Sequence, residues 1–550
     1  MNNQIIRMPD NSAYHRGRSN KKISSSTQYL RLLAVYLLAN LTALAQADLL
    51  AQTNLKAEKK PNILLIISDD HAYQAISAYG SKLMQTPAID RIANEGMRFD
   101  RAYVTNSICG PSRAVILTGK YSHQNGFRDN VNNRFDSTQN TFIKELSAAG
   151  YQTAWIGKWH LGSQPQGFDY WKILPGQGSY YNPDFLTMDG GRERQEGYVT
   201  NLVQDEAEQW LNRRDTSQPF CLVIGHKNTH RTWMPDIPDL RRFDSVSLPL
   251  PDNFYDNYSG RPAALLQDMT IDKTLRMDYD LKMYENGEKM LDFGFFKRMN
   301  PAQQQAMLDY YRPIYADLQK QSPQGRDLIE WKYQRYMRDY LATAASLDRN
   351  IGRALDYLDR QGLAGNTIVI YISDQGFYLG EHGWFDKRFM YEESFRTPLV
   401  VRYPEKVKPG SVSKQLVMNL DIGPTILDIA GLPVPTEMQG RSILPQLKNT
   451  RKKGREAMYY HYYENGEHAV SPHFGISTTR YKLIRFYEKV EGWELYDLQR
   501  DPGENNNVIN DKRYQKIRRR LEKELRRLIT QYADTEAAEI LARPVGLRAF

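Results

Sequence analysis

The sequence predicts an α/β fold with a large, mostly parallel sheet sandwiched by helices. A smaller C-terminal subdomain with an antiparallel sheet and a terminal helix follows it. Continuous apolar runs recur at 63–68, 153–157, 220–225, 367–373 and 398–402. They lack alternation, as expected of strands buried on both faces. Segments with helical spacing lie between them, at 87–96, 141–149, 198–213 and 336–361. Buried strands alternating with helices build a parallel sheet. After about residue 450 the texture changes to short strand-like pieces at 480–486 and 493–497, then the turn Asp501-Pro502-Gly503.

The N-terminus comes first. Residues 1–28 are polar and basic, with Arg7, Arg16, Arg18, Lys21 and Lys22, and an apolar run follows from Tyr29 to Ala45. The run is too short for a comfortable membrane span and ends in Ala43-Leu44-Ala45, a small-x-small pattern. Residues 1–45 therefore read as a secretory signal peptide. A periplasmic or secreted location after cleavage near Ala45 is expected, with no stable membrane anchor. Residues 46–60 read as a short polar linker. The formal charge of the 550-residue chain is +9. Residues 1–45 hold six Lys/Arg and one acid, so their removal leaves +4. The basic stretch from Lys516 to Leu528 mixes signs with helical apolar spacing, which suits a solvated helix face. No nucleic-acid partner is implied.

Residues 250–335 interrupt the alternation; they are rich in Tyr, Asp, Lys and Met, with no clear strand. They read as an insertion that carries specificity. Hydrophobic residues at 41% and charged residues at 25% exclude a disordered chain. Two cysteines, Cys109 and Cys221, exclude both a disulfide-rich scaffold and a four-thiolate zinc site.

In open α/β sheets, functional groups gather beyond the C-terminal strand ends. The first strand ends in Asp69-Asp70 and the one at 367–373 in Asp374-Gln375. These groups, with the Gln375 side-chain carbonyl, are hard oxygen ligands suited to Ca²⁺ or Mg²⁺. Two further strand ends carry Lys158-Trp159-His160 and the segment His226 to His230. A fifth cluster runs from Gly380 to Arg388. Cations beside a metal in a carboxylate pocket suit an anionic substrate with sulfate-like or phosphate-like oxygens. Cys109 precedes a helix predicted over 112–118, where the dipole favours anions, so a thiolate nucleophile is one reading.

The segment Cys109-Gly110-Pro111-Ser112-Arg113, extended through Gly119, resembles the signature of the type I sulfatases. Asp69-Asp70, Thr86 to Arg91, Gly157 to His160, Thr229-His230, Asp374-Gln375-Gly376, Lys387 and Asp421 to Thr425 match family elements in order. Trp493 to Leu498, with Asp501-Pro502 and Glu504, resembles the family's C-terminal subdomain. The resemblance spans residues 61–510. It implies an alkaline-phosphatase-like fold, with a catalytic domain over 61–450 and the C-terminal subdomain over 451–550.

The resemblance also implies a mechanism. A dedicated maturation enzyme, the formylglycine-generating partner, would convert Cys109 to Cα-formylglycine. One hydroxyl of its geminal diol would attack sulfur, assisted by Asp374. Asp69, Asp70, Asp374, Gln375 and the modified Cys109 would hold one Ca²⁺. Gln375 stands where many relatives have Asn. Arg113 would hold the aldehyde hydrate, and Lys158 and Lys387 would neutralise the sulfuryl oxygens. His230 with Lys387 would protonate the leaving alcohol, and His160 would take the final proton.

By the same resemblance the substrate is a sulfated carbohydrate. A glycosaminoglycan or mucin sugar such as 6-sulfated N-acetylglucosamine leads, ahead of algal polysaccharides and small aryl sulfates. Candidate substrate contacts are His226, Arg231, Trp233, His382 and His473. A phosphate or phosphonate monoester hydrolase and a glycan-binding pseudoenzyme are the rival readings.

Overall fold

A computed structural model of the chain describes residues 25–54, 60–131, 134–285, 288–404 and 406–543. The segment before Lys60 is a unit of its own. Its described residues form one helix, α1 (Ser25–Asn54). The helix continues through residues 46–54, where the sequence suggests a polar linker. Ala47, Leu49, Leu50, Ala51 and Gln52 are strong helix formers, and they extend the apolar run. The basic lead-in through residue 24 and linker residues 55–59 lie outside the described residues. Among the described residues no helix is long and apolar enough to cross a membrane.

The second unit begins at Lys60 and is built on a ten-stranded sheet. Its strands in chain order are β1 (Asn62–Ser68), β2 (Met97–Phe99), β3 (Gln152–Lys158), β4 (Tyr170–Leu174) and β5 (Asp184–Thr187). Then come β6 (Arg192–Arg194), β7 (Phe220–Gly225), β8 (Thr367–Ser373), β9 (Leu399–Arg402) and β10 (Ser411–Ser413). The spatial order is β10-β2-β9-β8-β1-β7-β3-β4-β5-β6. The centre, β8-β1-β7-β3-β4, is parallel. The 398–402 run is the exception among the predicted strands, because β9 pairs antiparallel with both neighbours.

Alternate side chains of β1 enter two separate cores, Leu64 and Ile66 on one face and Ile63, Leu65 and Ile67 on the other. That is why the strand reads as an unbroken apolar run. The first face is covered by α2 (Pro87–Asn94), α5 (Val199–Arg213) and α7 (Gly325–Arg360). The second is covered by α3 (Cys109–Thr118), α4 (Phe142–Ala148) and α8 (Ile422–Ile429). Helix α7 starts before the predicted residue 336 and absorbs the end of the insertion. The rest of the described insertion is helical or irregular, including α6 (Pro301–Gln321), with no named strand.

The C-terminal sheet is antiparallel, in the order β11 (Ala457–Tyr462), β12 (His473–Thr478), β13 (Tyr481–Phe486), β14 (Gly492–Asp497). Helix α9 (Gln515–Gln531) packs on it with Leu521, Leu525, Leu528 and Ile529, leaving its basic residues toward solvent. Helix α10 (Thr535–Ala542) closes the described chain. The change of sheet is not a break in the core. Phe474 and Phe486 belong to the same apolar cluster as Phe389 and Tyr391 of the larger sheet's loops.

Burial in this second sheet has a pH consequence. The Glu494 carboxyl accepts hydrogen bonds from the Tyr391 and Tyr496 hydroxyls, both at 2.8 Å, yet burial pushes its pKa up from 4.5 to about 7. Between those values the folded state binds the extra proton, so stability falls as pH rises through this window. At 1.36 kcal/mol per unit the contribution is about 3 kcal/mol. Glu494→Gln is expected to flatten that part of the stability profile. Urea unfolding of both proteins from pH 4 to 8 checks this, and a difference in stability that does not vary with pH rejects it.

Candidate active site

Because β8, β1, β7 and β3 are adjacent and parallel, their C-terminal ends open on one edge of the sheet. Asp69-Asp70 leaves the central strand β1. Asp374-Gln375 stands on one side, the 226–230 loop on the other, and Lys158 to His160 one strand further. Backbone bonds lock these exits together. Asp374 N donates to Ser68 O at 3.1 Å, His226 N to Ile67 O at 2.8 Å and Asp69 N to Asn228 O at 2.9 Å.

Helix α3 enters this cluster from the second face. It begins at Cys109, three residues before the predicted start. Fully buried Arg113 holds Asp374 Oδ2 with Nε at 2.9 Å and donates from NH1 to the Lys158 carbonyl at 2.8 Å. Ser112 Oγ donates to the Asp374 carbonyl and itself accepts from Asn419 Nδ2 at 2.9 Å. Gln375 Nε2 is 3.8 Å from the Cys109 sulfur. Gly110 makes the close approach possible, since a Cβ there would stand 2.6 Å from the Phe127 ring and 3.0 Å from the His160 carbonyl.

Two lysines neutralise the first acidic pair. Lys158 Nζ pairs with Asp69 Oδ2 and donates to Gln177 Oε1. Lys387 Nζ sits 2.7 Å from each Asp70 oxygen. Asp70 is further positioned by the Thr229 and Tyr340 hydroxyls, which donate to its carbonyl at 2.8 and 2.7 Å. His230 Nε2 lies 4.0 Å from Asp70 Oδ2. Its Nδ1 is 2.7 Å from the Arg231 carbonyl, an atom that only accepts. The ring hydrogen is therefore assigned to Nδ1, leaving Nε2 free to face the cluster.

Burial dominates the electrostatics. It pushes Asp374 up to about 7, aided by Asp69, and Asp70 up to about 6 against the pull of Lys387. Burial alone would raise Asp69 too, but Lys158, with His230, Arg113 and Lys387, holds it well below the usual carboxylate range. Desolvation keeps the His160 and His230 imidazoles neutral. Burial and Asp69 push the Cys109 thiol far up. An unmodified Cys109 is thus no thiolate, and its place at the start of a helix does not compensate. Cys221 is a free, buried thiol of β7.

Ligand atoms of Asp69, Asp70 and Asp374 all lie within 4.8 Å of one another, and so do those of Asp69, Cys109 and His230. Asp69 Oδ1 and Gln375 Oε1 are buried without a partner. Orphaned hard oxygens beside three carboxylates fit a hard divalent cation such as Ca²⁺. The longer arm of Gln375 still reaches the cluster, with Nε2 2.5 Å from Asp70 Oδ1.

The structure thus brings together Asp69, Asp70, Cys109, Arg113, Lys158, His160, His230, Asp374, Gln375 and Lys387. It does not bring the five candidate substrate contacts to an open pocket. Trp233 is fully buried against Tyr336 and Phe377. His473 is fully buried, accepts from Met390 N at 3.0 Å and stacks on Phe389 and Tyr460. His382 is buried 2.7 Å from Asp256. His226 is buried with neither ring nitrogen partnered, and desolvation pushes it down to about 3. Arg231 is the exception in exposure, but its guanidinium is committed to Asp280 of the insertion at 2.6 and 2.8 Å. In every case but His226, which burial alone withdraws, an apolar or acidic neighbour from another segment claims the side chain.

Other polar groups flank the cluster instead. Asp386 and Arg388 bracket Lys387, both in the left-handed region at φ 78° and 100°. Asp70 and His160 share that conformation at φ 62° and 59°. Left-handed non-glycine residues are uncommon and gather at functional sites. Asp386 lies 3.3 Å from His468 Nε2, and Arg388 NH1 donates to Tyr462 OH at 3.1 Å. Lys227 holds its ammonium 4.8 Å above the Tyr180 ring, and desolvation with nearby Lys158 pushes it down to about 7. Asp386, Arg388 and Lys227 were legible as members of two polar clusters in the sequence. Gln177, Tyr462 and His468 carry no local signal.

The sulfatase family model matches residues 61–432, and the model for the N-sulphoglucosamine sulphohydrolase C-terminal region matches 380–531. The chain is 48% identical over 516 residues to an N-acetylglucosamine-6-O-sulfatase of Bacteroides thetaiotaomicron, covering 92% of each. It is 28% identical over 445 residues to the human N-acetylglucosamine-6-sulfatase, covering 75% of this chain and 69% of that protein. A solved protein in complex with its substrate D-glucosamine-2-N,6-O-disulfate superposes with a TM-score of 0.85 at 49% identity. That match covers 86% of this chain and 99% of the other.

Proposed function

From the premise that this chain belongs to the sulfatase family, we propose that it removes the 6-O-sulfate from a glucosamine unit of a sulfated glycan. The observation that carries the substrate is the match along 92% of both chains to an N-acetylglucosamine-6-O-sulfatase. The glucosamine disulfate held by the solved relative agrees with it in sugar and in sulfated position. The glucosamine nitrogen then carries acetyl or sulfate.

Asp69, Asp70, Asp374, Gln375 and position 109 would hold one Ca²⁺. In this reading a maturation enzyme supplies formylglycine at position 109, giving an oxygen nucleophile for sulfur, while Ca²⁺ adds positive charge near the sulfuryl oxygens. Arg113 holds Asp374 and the start of α3 in register. Asp374, held by Arg113 through one carboxylate oxygen, takes the proton of the attacking hydroxyl at a carboxylate oxygen. Lys158 and Lys387 turn their ammonium groups from Asp69 and Asp70 to the sulfuryl oxygens as charge builds there. His230 delivers a proton from Nε2 to the leaving sugar oxygen. The incoming sulfate charge offsets the desolvation that keeps this imidazole neutral beforehand. His160, whose Nδ1 has no partner, takes up a proton there as sulfate departs. Asp386, Arg388 and His468 meet the sugar hydroxyls beside Lys387. The enzyme works outside the cytoplasm, after cleavage near Ala45.

A panel of 2-, 3-, 4- and 6-sulfated saccharides, assayed for released sulfate, tests the reading. Turnover confined to 6-O-sulfated glucosamine is expected; preference for another position or sugar rejects it. His230→Ala is expected to slow a 6-O-sulfated saccharide by about 10²- to 10⁴-fold, the usual range for a general acid. An activated aryl sulfate, whose leaving group needs no proton, should lose far less. Equal losses on both would remove the acid role from His230.

A further inference from the structure

A polar cavity of about 450 Å³ shares no residue with the catalytic cluster. Tyr73 and Tyr79 of the loop after β1 form one wall, and Arg101, Arg396 and Lys414 supply cations. The Arg396 guanidinium lies 4.0 Å over the Tyr73 ring, and its Nε is buried without a partner. Among the described residues Arg396, Arg101 and Lys414 form neither an ion pair nor a side-chain hydrogen bond. The cavity's two carboxylates are already engaged. Asp100 pairs with Arg98 at 2.8 Å, and Glu392 is held by Lys482 at 3.0 Å. Arg101 and Lys414 therefore face the cleft without a direct partner, and Arg396 with only the through-space attraction of Glu392.

A guanidinium stacked on an aromatic ring keeps its planar fork of donors free, and that fork matches two oxygens of a tetrahedral oxyanion. The volume lies within the roughly 300–1,000 Å³ of small-ligand pockets, enough for one sulfated monosaccharide unit. We propose that this cavity is a second, non-catalytic site that binds a sulfate group carried on a saccharide. Arg396 grips the sulfate, with Arg101 and Lys414 attracting it. Its location rests on the geometry alone, and the saccharide as carrier rests on the sulfated-glycan reading above. Such a site anchors a remote part of a polyanionic chain while another sulfate occupies the catalytic cluster.

The test uses full-length Cys109→Ala protein, which cannot turn over, titrated calorimetrically with a sulfated heparin octasaccharide. Two binding events are expected. Arg101→Ala with Lys414→Ala, both away from the core, should weaken one event by at least about tenfold, and Arg396→Lys should do the same while keeping the charge. In otherwise unmodified enzyme these variants should leave turnover of a 6-O-sulfated monosaccharide unchanged and lower kcat/KM on the octasaccharide. Inorganic sulfate is titrated in parallel. Weak, Arg396-dependent binding of sulfate beside tight binding of octasaccharide supports the saccharide carrier. Equal affinity for the two identifies the free ion as the ligand and overturns it. Unaltered octasaccharide binding by both variants overturns the site itself. Two binding events in a protein that does not cleave 6-O-sulfated glucosamine would reject the substrate reading and leave the cavity's role standing.

Discussion

Cys109→Ala, and equally Cys109→Ser left unoxidised, is expected to lower sulfate release by at least about 10⁴-fold, as loss of a nucleophile does in other hydrolases, while the thermal unfolding midpoint stays near that of the parent. The geometry explains both halves. The side chain stands at the first turn of α3, next to Gln375 and inside the reach of Asp69 and His230. The fold does not depend on its sulfur, because α3 is held by the Arg113–Asp374 pair, the Ser112 hydroxyl and the Asn419 amide. Serine keeps the size of the residue but, left as an alcohol, has no second hydroxyl with which to expel the sulfate it accepts. Mass spectrometry of the peptide spanning residue 109 completes the experiment. Active protein with an intact thiol there would refute the formylglycine reading, since burial already holds that thiol far from its thiolate.

Removing the divalent ion is the second large effect. Chelation is expected to abolish turnover and to lower the unfolding free energy by about 4 kcal/mol relative to protein with Ca²⁺ a thousandfold above its Kd. Three carboxylates share a volume with ligand atoms within 4.8 Å of one another, and Asp69 Oδ1 and the neighbouring Gln375 Oε1 are without partners. Lys158 and Lys387 pair with Asp69 and Asp70. Those are the ammonium groups needed at the sulfuryl oxygens. A bound Ca²⁺ would compete with both lysines for these carboxylates. Re-addition of Ca²⁺ should restore rate and stability together. Asp69→Asn should weaken Ca²⁺ binding, read by the concentration dependence of the unfolding midpoint. Full activity after exhaustive chelation would remove the metal from the mechanism.

Much of the fold was legible because its central strands are buried on both faces. β1, β3, β7 and β8 each read as an unbroken apolar run, and each run ends where the polar cluster begins. β9 misled in direction only, because an apolar run carries no sign of parallel or antiparallel pairing. The linker expected after Ala45 gave way to helical residues through Asn54, where helix formers outweigh one acid and scattered polar groups. Lys387 was legible by resemblance and Asp386 and Arg388 only as neighbours in a charged loop. Their left-handed backbones, which aim them, leave no mark on residue type.

The sequence by itself determined the chemistry. Adjacent acids at one strand end, an acid and an amide at another, lysines and histidines at two more, and Cys109 before a helix are all local choices. They stay together because parallel strands must open on the same edge. What only the tertiary structure decided is which polar side chains remain available to a ligand. His226, Trp233, His382 and His473 share a residue type with binding groups, yet partners from other segments of the chain or simple burial withdraw them. Arg396 was unremarkable in the chain, yet the fold leaves its guanidinium unpaired. Availability is set by desolvation and by long-range pairing, and neither is written at any single position.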